Sequence, residues 1–183
     1  MKKLLFLLLF ISVFGFSQEQ KKLNQGIYWT TDVQFAPGFK KLVADIINSE
    51  NTVPFNYNVG ATSLVGFQPI YKVGIGGGFR YNYIPEGINN LYFIIQPKIY
   101  FGDYSDSSFL FFNAGIALNK SAIKNSQLYT IGIGDQNPIN VRMNYYYSLF
   151  LEDHRMNFGN GTTNNFYFGV NFGITFHTRK VKD

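Results

Sequence analysis

Residues 71–83 show the clearest pattern in the chain, because their side chains sort by the parity of their positions. The odd positions carry bulky apolar or aromatic residues except at Gly77, and the even positions carry small or polar ones such as Gly74, Gly78 and Arg80. A period of two is that of a β-strand with two unlike faces. The pattern recurs and predicts eight strands, at about residues 27–35, 55–67, 71–83, 90–101, 109–118, 127–134, 139–152 and 165–177.

The two faces differ in size as well as polarity, which indicates how the strands face in a closed barrel. Most strand glycines share the polar face, and Gly77 alone lies on the apolar one; the polar-face set is Gly60, Gly66, Gly74, Gly76, Gly78, Gly115, Gly132, Gly134, Gly169 and Gly173. A barrel of about eight strands has room inside for side chains and little else, so the small residues belong inside. An apolar exterior around a polar interior is typical of a barrel surrounded by lipid. The sequence therefore predicts an all-β, eight-stranded antiparallel up-and-down transmembrane β-barrel.

The connections between these strands also follow the expected alternation. Longer connections are predicted at residues 36–54, 119–126 and 153–164, and a barrel with both termini in the periplasm places them on the cell surface. The short connection at 85–89 is the exception. Pro97 falls within a predicted strand, where it cannot donate to the ladder, so a bulge is expected there.

Residues 39–48 change to a helical period. Their apolar positions are Phe39, Leu42, Val43, Ile46 and Ile47. The spacing predicts a short helix within the first long connection. Such a helix would cap the barrel mouth, lie at the membrane surface or dock onto a partner.

The aromatic residues on the apolar face concentrate near the strand ends, whereas aliphatic ones such as Val59, Ile75 and Ile95 lie near the middle. Aromatic side chains prefer the two interfaces of a membrane. The predicted lipid-facing girdle includes Trp29, Tyr71, Tyr81, Tyr83, Phe101, Phe166 and Phe176.

The N-terminus predicts export. Lys2 and Lys3 precede an apolar run over residues 4–14, and Gly15 and Ser17 supply small residues for cleavage, as in a secretory signal peptide. A membrane anchor is the alternative, but the run is shorter than the roughly 20 residues that a spanning helix needs. We expect a signal peptide at 1–17 for the general secretory pathway, a periplasmic lead-in at 18–25, the barrel at 26–177 and a basic tail at 178–183.

Composition narrows the chemistry further. The 183-residue chain has no cysteine, which excludes disulfides, thiolate zinc sites and a lipidated N-terminal cysteine. Because two of its basic residues belong to the predicted signal, the remaining basic excess gives little support to nucleic-acid binding.

Three stretches resemble a known family: VGFQPIYKVGIGGGFRYNY at 65–83, FFNAGIAL at 111–118 and FYFGVNFGITF at 166–176. They are similar to the small outer-membrane β-barrel proteins of Gram-negative bacteria, of the porin-like superfamily and the OmpA and OmpX types. The resemblance implies a place in the cell outer membrane, contact with its lipid and lipopolysaccharide, and insertion by the barrel assembly machinery. Members commonly end at a terminal aromatic residue, here Phe176, whereas this chain continues with residues 177–183.

No catalytic, cofactor-binding or metal site is expected. The segment IGGGFR at 75–80 lacks the ending of a phosphate-binding loop. His154, beside Glu152 and Asp153, is either a weak metal site or part of a solvated loop, and His177 is expected at the periplasmic rim. Ser148 lies six strand residues from His154, about 20 Å, which is too far for a catalytic pair. These residues predict a protein that is not an enzyme.

The charges expected in the lumen are Asp32, Lys72, Arg80, Lys98, Arg142 and Glu152. One interpretation is a lumen held shut by ion pairs and hydrogen bonds, and the other is a narrow anion pore, because bases outnumber acids. The favoured hypothesis is an integral outer-membrane barrel with a filled lumen and a structural or surface-loop role, especially through 36–54 and 153–164. The alternatives are a small-solute or anion channel and a secreted, lipocalin-like soluble barrel that binds an apolar ligand.

Overall fold

The protein forms a closed antiparallel barrel in which each strand pairs with its neighbours in the chain and the last strand pairs with the first. The computed structural model describes residues 25–39, 56–85, 88–102, 107–118, 126–140, 142–157 and 162–178. The strands are β1 Gly26–Pro37, β2 Tyr57–Ile70, β3 Val73–Ile84, β4 Ile88–Phe101, β5 Ser107–Ala117, β6 Gln127–Asn140, β7 Met143–Asn157 and β8 Thr162–His177. The eight-stranded up-and-down barrel predicted from the sequence is confirmed.

The predicted orientation of the two faces is also confirmed. On β3, Ile75 and Phe79 are each 53% exposed on the outer surface, whereas Gly76, Gly78 and Arg80 between and after them are buried. The same alternation runs through the other strands. Large apolar side chains therefore form the outer wall, and small and polar ones form the interior.

Inward glycines make room for inward aromatic rings. Five buried rings each lie directly across a strand pair from a glycine: Tyr28 from Gly66, Phe109 from Gly134, Phe111 from Gly132, Tyr146 from Gly173 and Phe150 from Gly169. A Cβ atom added to any of these glycines would collide with the ring that faces it. The interior is narrow enough that a large side chain on one strand requires a small residue on the next.

The hairpin of β7 and β8 is longer than predicted. The ladder continues through Arg155 opposite Asn164 and Met156 opposite Thr163, so the long connection expected at 153–164 is wrong. Buried side chains continue to alternate with more exposed ones through Met156, and the Asn-rich sequence does not prevent pairing. β6 likewise runs through the predicted turn at 135–138 and shows a register shift between Pro138 and Asn140.

The bulge predicted at Pro97 is wrong. The pairing of β4 with β5 is interrupted at residues 96–97, but Ile95 opposite Ala114 and Lys98 opposite Phe111 keep one register. On the other side, Pro97 remains opposite Ile75 without a shift. The missing amide donor thus removes a local bond and leaves the strand alignment intact.

Several sequence predictions lie outside the described residues. These are the signal peptide at 1–17, the lead-in apart from residue 25, the helix at 39–48 apart from Phe39, and the tail beyond residue 178. Where the chain is described, it contains no helix with the length and hydropathy needed to cross a membrane.

Gly77 and Gly78 offer a matched test of the two faces. A Cβ atom at Gly78 would collide with the backbone of Ser63 and Leu64, whereas one at Gly77 would come no closer than 3.8 Å to its nearest neighbour, the Ile94 carbonyl oxygen. We expect Gly78→Ala to lower the free energy of unfolding by about 1–3 kcal/mol. Gly77→Ala should leave it unchanged or raise it by up to about 1 kcal/mol, because alanine has less freedom in the unfolded chain.

The measurement is urea-induced unfolding of both variants in the same lipid or detergent. Equal losses at the two glycines would contradict the assignment of one to the crowded interior and the other to the outer surface.

Candidate functional site: the charged barrel interior

Charged side chains in the interior form two groups at different heights. The first, called here the Arg80–Glu152 cluster, joins these two residues to His154, Asn58, Asn82 and Thr130. The second, the Asp32–Lys98 cluster, lies closer to the chain termini and includes Tyr146 and Phe109. All four charged residues that name the clusters are at least 94% buried.

Arg80 has a hydrogen-bond partner for each part of its guanidinium group. Its Nη2 donates to Glu152 Oε2 in a buried ion pair, its Nε donates to Asn82 Oδ1 at 3.0 Å, and its Nη1 donates to Thr130 Oγ1 at 3.3 Å. The guanidinium also lies over the ring of Phe150, with 5.8 Å between Cζ and the ring centroid. A buried charge with this many partners is held in one position.

Glu152 is paired at both carboxylate oxygens. Oε2 accepts from Arg80 and, at 3.0 Å, from the Thr130 hydroxyl. Oε1 accepts from Asn58 Nδ2 at 2.7 Å and contacts His154 Nε2. Because a carboxylate only accepts, His154 donates from Nε2 in this contact.

The Arg80–Glu152 pair crosses the whole barrel. Arg80 is on β3 and Glu152 is on β7, four strands away in either direction around the closed sheet. On the same level, Tyr92 of β4 places its hydroxyl 3.4 Å from His154 Nδ1 and 2.8 Å from Ser126 Oγ. Side chains from opposite walls therefore meet at the barrel axis.

The Asp32–Lys98 cluster crosses the barrel at a second level. The Tyr146 hydroxyl of β7 donates to Asp32 Oδ2 of β1 at 2.6 Å. Lys98 of β4 places its ammonium group 4.9 Å from the ring centroids of both Phe109 and Tyr146. This buried cation is held between aromatic faces, which attract it electrostatically.

Two of the six charges predicted for the lumen are not there. Lys72 and Arg142 are exposed, each in the short turn before the next strand, because β3 begins at Val73 and β7 at Met143. Asp32, Arg80, Lys98 and Glu152 do lie inside. The described lumen thus holds two bases and two acids, and the basic excess predicted from the sequence is wrong.

Six of the seven residues predicted for the girdle are exposed on the outer face of the strands. Trp29, Tyr81, Tyr83, Phe101, Phe166 and Phe176 are between 36% and 53% exposed, and Tyr71 is half-buried in a turn. Trp29 stacks on Phe176 with 5.4 Å between ring centroids and donates from Nε1 to Ser63 Oγ at 2.9 Å.

The structure corrects the place of His154. The sequence suggested a solvated loop, but β7 continues past it, and its side chain is fully buried beside Glu152. Residues 148, 150 and 152 were predicted to point inward, and continuing that alternation by one step would have predicted an inward side chain at 154. His177 is also buried at the end of β8, with Nε2 3.5 Å from Asn144 Nδ2.

Neither catalytic nor metal-binding geometry is seen in the described residues. The buried hydroxyl of Ser148 has no hydrogen-bond partner there, and no three His, Asp or Glu side chains group in a way that would hold a metal ion. The polar groups of the interior bond mainly to one another, which is an arrangement suited to filling space.

Comparison with known proteins shows the fold. No protein-family model matches the chain, and no curated protein matches its sequence. The crystal structure of Neisserial surface protein A (NspA) matches with a TM-score of 0.56 and 9% sequence identity, over 84% of this chain and 97% of that one. The chain therefore has the eight-stranded barrel fold that it shares with NspA.

The buried ion pair should be more important to stability than an exposed one. Arg80→Met leaves Glu152 buried without its cation, and we expect a loss of about 3–5 kcal/mol in the free energy of unfolding. The double variant Arg80→Met/Glu152→Met should be less destabilised than Arg80→Met, because no unpaired charge remains. Arg155→Met, which breaks the pair with Asp153 on the outer surface, should cost about 1 kcal/mol or less, since Arg155 is 51% exposed.

Denaturant unfolding of the four proteins under one condition measures these differences. If the double variant were less stable than Arg80→Met, the proposed pairing across the axis would be contradicted.

Proposed function

We propose that the protein is an integral outer-membrane barrel whose lumen is closed by its own side chains. This proposal rests on the orientation of the two faces of the sheet, which is the reverse of that in a water-soluble barrel. Exposed large apolar residues cover the outer wall on all eight strands, while buried Asp, Glu, Lys and Arg are inside. Such a surface is stable when acyl chains surround it and unfavourable in water.

The side chains that meet at the axis support a closed lumen. The ion pair between β3 and β7 crosses the interior at one height, and the contact of Lys98 on β4 with the Tyr146 ring on β7 crosses it at another. Leu64, Ile94 and Leu128 pack with Tyr92 in a buried apolar group that fills further space in the interior. A solute passing along the axis would have to displace these side chains.

The predicted N-terminal signal peptide and the barrel fold together support a route through the general secretory pathway and insertion by the barrel assembly machinery. The outer wall then contacts outer-membrane lipid and lipopolysaccharide. With both termini in the periplasm, the connections at 38–56 and 118–126 lie on the cell surface. We assign the protein a structural or surface-interaction role through these connections and no catalysis, and the match to a protein described as a surface protein supports that assignment.

A narrow channel is the second candidate. Several buried oxygens have no hydrogen-bond partner among the described residues, including Gln34 Oε1, Asn171 Oδ1 and Ser148 Oγ, which lie in one row across β1, β8 and β7. Oxygens of this kind can accept hydrogen bonds from water. The equal number of described acids and bases removes the argument for anion selectivity.

A soluble, lipocalin-like barrel fits the structure poorly. Such a barrel keeps its apolar side chains inside, around an apolar ligand, and its charges outside. Here many Phe, Ile and Leu side chains are exposed on the outer wall, and the Arg80–Glu152 ion pair crosses the interior.

Location can be tested by fractionation. We expect the protein in the outer-membrane fraction, with gel migration that changes on heating because the folded barrel resists unheated detergent. Recovery in the aqueous fraction would overturn the membrane assignment.

Conductance in planar bilayers tests the closed lumen. The wild-type protein should give no steady single-channel steps, because its axis is crossed at two levels. Arg80→Ala/Glu152→Ala should increase the frequency of openings, whereas Asp153→Ala/Arg155→Ala on the outer surface should not. Steady steps in the wild-type protein would favour the channel.

A further inference from the structure

The interior around Lys98 contains charged groups whose hydrogen bonds are not met by the protein. Lys98 Nζ lies against the rings of Phe109 and Tyr146 but makes no hydrogen bond within the described part of the chain. Asp32 accepts from Tyr146 through Oδ2, whereas its Oδ1 has no partner among the described residues. Both charged side chains are at least 94% buried, so bulk solvent does not satisfy these atoms either. Leaving them without partners is unfavourable.

The two charges lie in one cluster without touching. Among the residues that the structure describes, Asp32 and Lys98 form no direct ion pair, although Asp32 bonds to the Tyr146 hydroxyl and Lys98 lies over the ring of the same residue. A polar contact too long for a direct hydrogen bond is often bridged by water. The ammonium group only donates, and the carboxylate only accepts. A bridging molecule must therefore be able to do both.

The Tyr28 hydroxyl is a further buried group without a partner among the described residues. Tyr28 of β1 lies in a row of paired inward positions that continues through β2 to Gly76 on β3 and Gln96 on β4. The Oε1 atom of Gln96 is also unpartnered within the described chain. In the next inward row of the same strand pair, Gly74 lies opposite Lys98. The unpartnered groups thus surround two glycines of β3.

Gly74 and Gly76 leave room beside these groups. A Cβ atom added at Gly76 would lie 3.1 Å from the Tyr28 hydroxyl oxygen and 3.7 Å from the next nearest atoms. One added at Gly74 would lie 3.5 Å from its nearest atoms, which belong to Tyr100 and Tyr28. The glycines directly opposite inward rings have no such space. An atom at the Gly76 position is therefore within hydrogen-bonding distance of Tyr28 and collides with nothing.

We propose that this space, called here the Lys98 chamber and bounded by Tyr28, Asp32, Gly76, Gln96 and Lys98, binds a small cluster of ordered water. Water accepts from the Lys98 ammonium group, donates to Asp32 Oδ1 and Gln96 Oε1, and can do either at the Tyr28 hydroxyl. Buried water in proteins typically makes about three hydrogen bonds of this kind, and the chamber offers that number. The water links the two charges that the side chains do not join directly.

An ion fits the Lys98 chamber less well than water does. The ammonium group of Lys98 would repel a metal cation, and the carboxylate of Asp32 would repel an anion. The Arg80–Glu152 cluster differs, because its opposite charges bond to each other directly. The proposal thus adds to the closed lumen a hydrated part nearer the chain termini, with the Arg80–Glu152 cluster as the layer that excludes water.

Radiolytic footprinting of the refolded full-length protein tests this, because the probe is the bound water itself. An X-ray pulse converts water into hydroxyl radicals, which oxidise the side chains that the water touches. Tyr28 and Tyr92 are a matched pair, since both are fully buried and the Tyr92 hydroxyl has protein partners in Asn90 and Ser126. We expect Tyr28 to be oxidised severalfold faster than Tyr92. Equal rates in the wild-type protein would overturn the proposal.

Two alanine variants show whether the water lies in the Lys98 chamber. Gly76→Ala places a methyl group where the water would bind, and it should lower the oxidation rate of Tyr28 towards that of Tyr92. Gly77→Ala adds the same methyl group on the outer wall and should leave the rate unchanged. An unchanged Tyr28 rate in Gly76→Ala, or the same decrease in both variants, would contradict a water site in the chamber.

A second measurement needs no variant. In isotope-labelled protein in detergent micelles, the inward α-proton of Gly76 should show a nuclear Overhauser effect with water. The inward α-proton of Gly78 is the control and should show none, because it lies against the backbone of Ser63. No water signal at Gly76 would also overturn the proposal. Neither measurement depends on whether the lumen conducts, so failure here leaves the closed lumen separately testable by conductance.

Discussion

The narrow bore of an eight-stranded barrel is the constraint on which the rest of this structure depends. Alternate residues of every strand must point inward, and the space they share is too small for a large side chain at each position. The chain meets this limit by placing glycine opposite inward rings, as with Gly66 and Tyr28. Once glycine and polar residues occupy the interior, the bulky apolar residues are left for the outer wall, and that wall requires an apolar surrounding.

The same narrowness makes the interior charges partners of one another. Arg80 and Glu152 come from opposite walls and still meet, along with Thr130, Asn58 and His154. Burying either charge alone would be strongly unfavourable, whereas the hydrogen-bonded set satisfies both. The interior side chains thus link strands on opposite walls to one another. The parts of the chain left to interact with other molecules are the outer wall and the connections at the barrel ends.

The sequence predicted most of this fold because period-two alternation records directly which face each residue occupies. The predicted strand ends were wrong where the end of a strand depends on pairing with its neighbour and not on the local composition. The Asn-rich stretch after Glu152 continues as strand because β8 offers a partner for each position, and this moved His154 from a supposed loop into the interior. Lys72 and Arg142 show the opposite error, since their parity suited the lumen but tight turns exclude them. Which charges touch could not be predicted, because contacts across the axis join β3 to β7 without any local sequence signal.

The most direct test of the inverted, filled barrel is a spin-label accessibility scan along residues 147–152 of the protein in lipid vesicles. Odd positions should collide readily with lipid-dissolved oxygen, and even positions should be shielded both from oxygen and from a water-soluble nickel reagent. High nickel accessibility at the even positions would show a water-filled lumen, and loss of the alternation would contradict the account altogether.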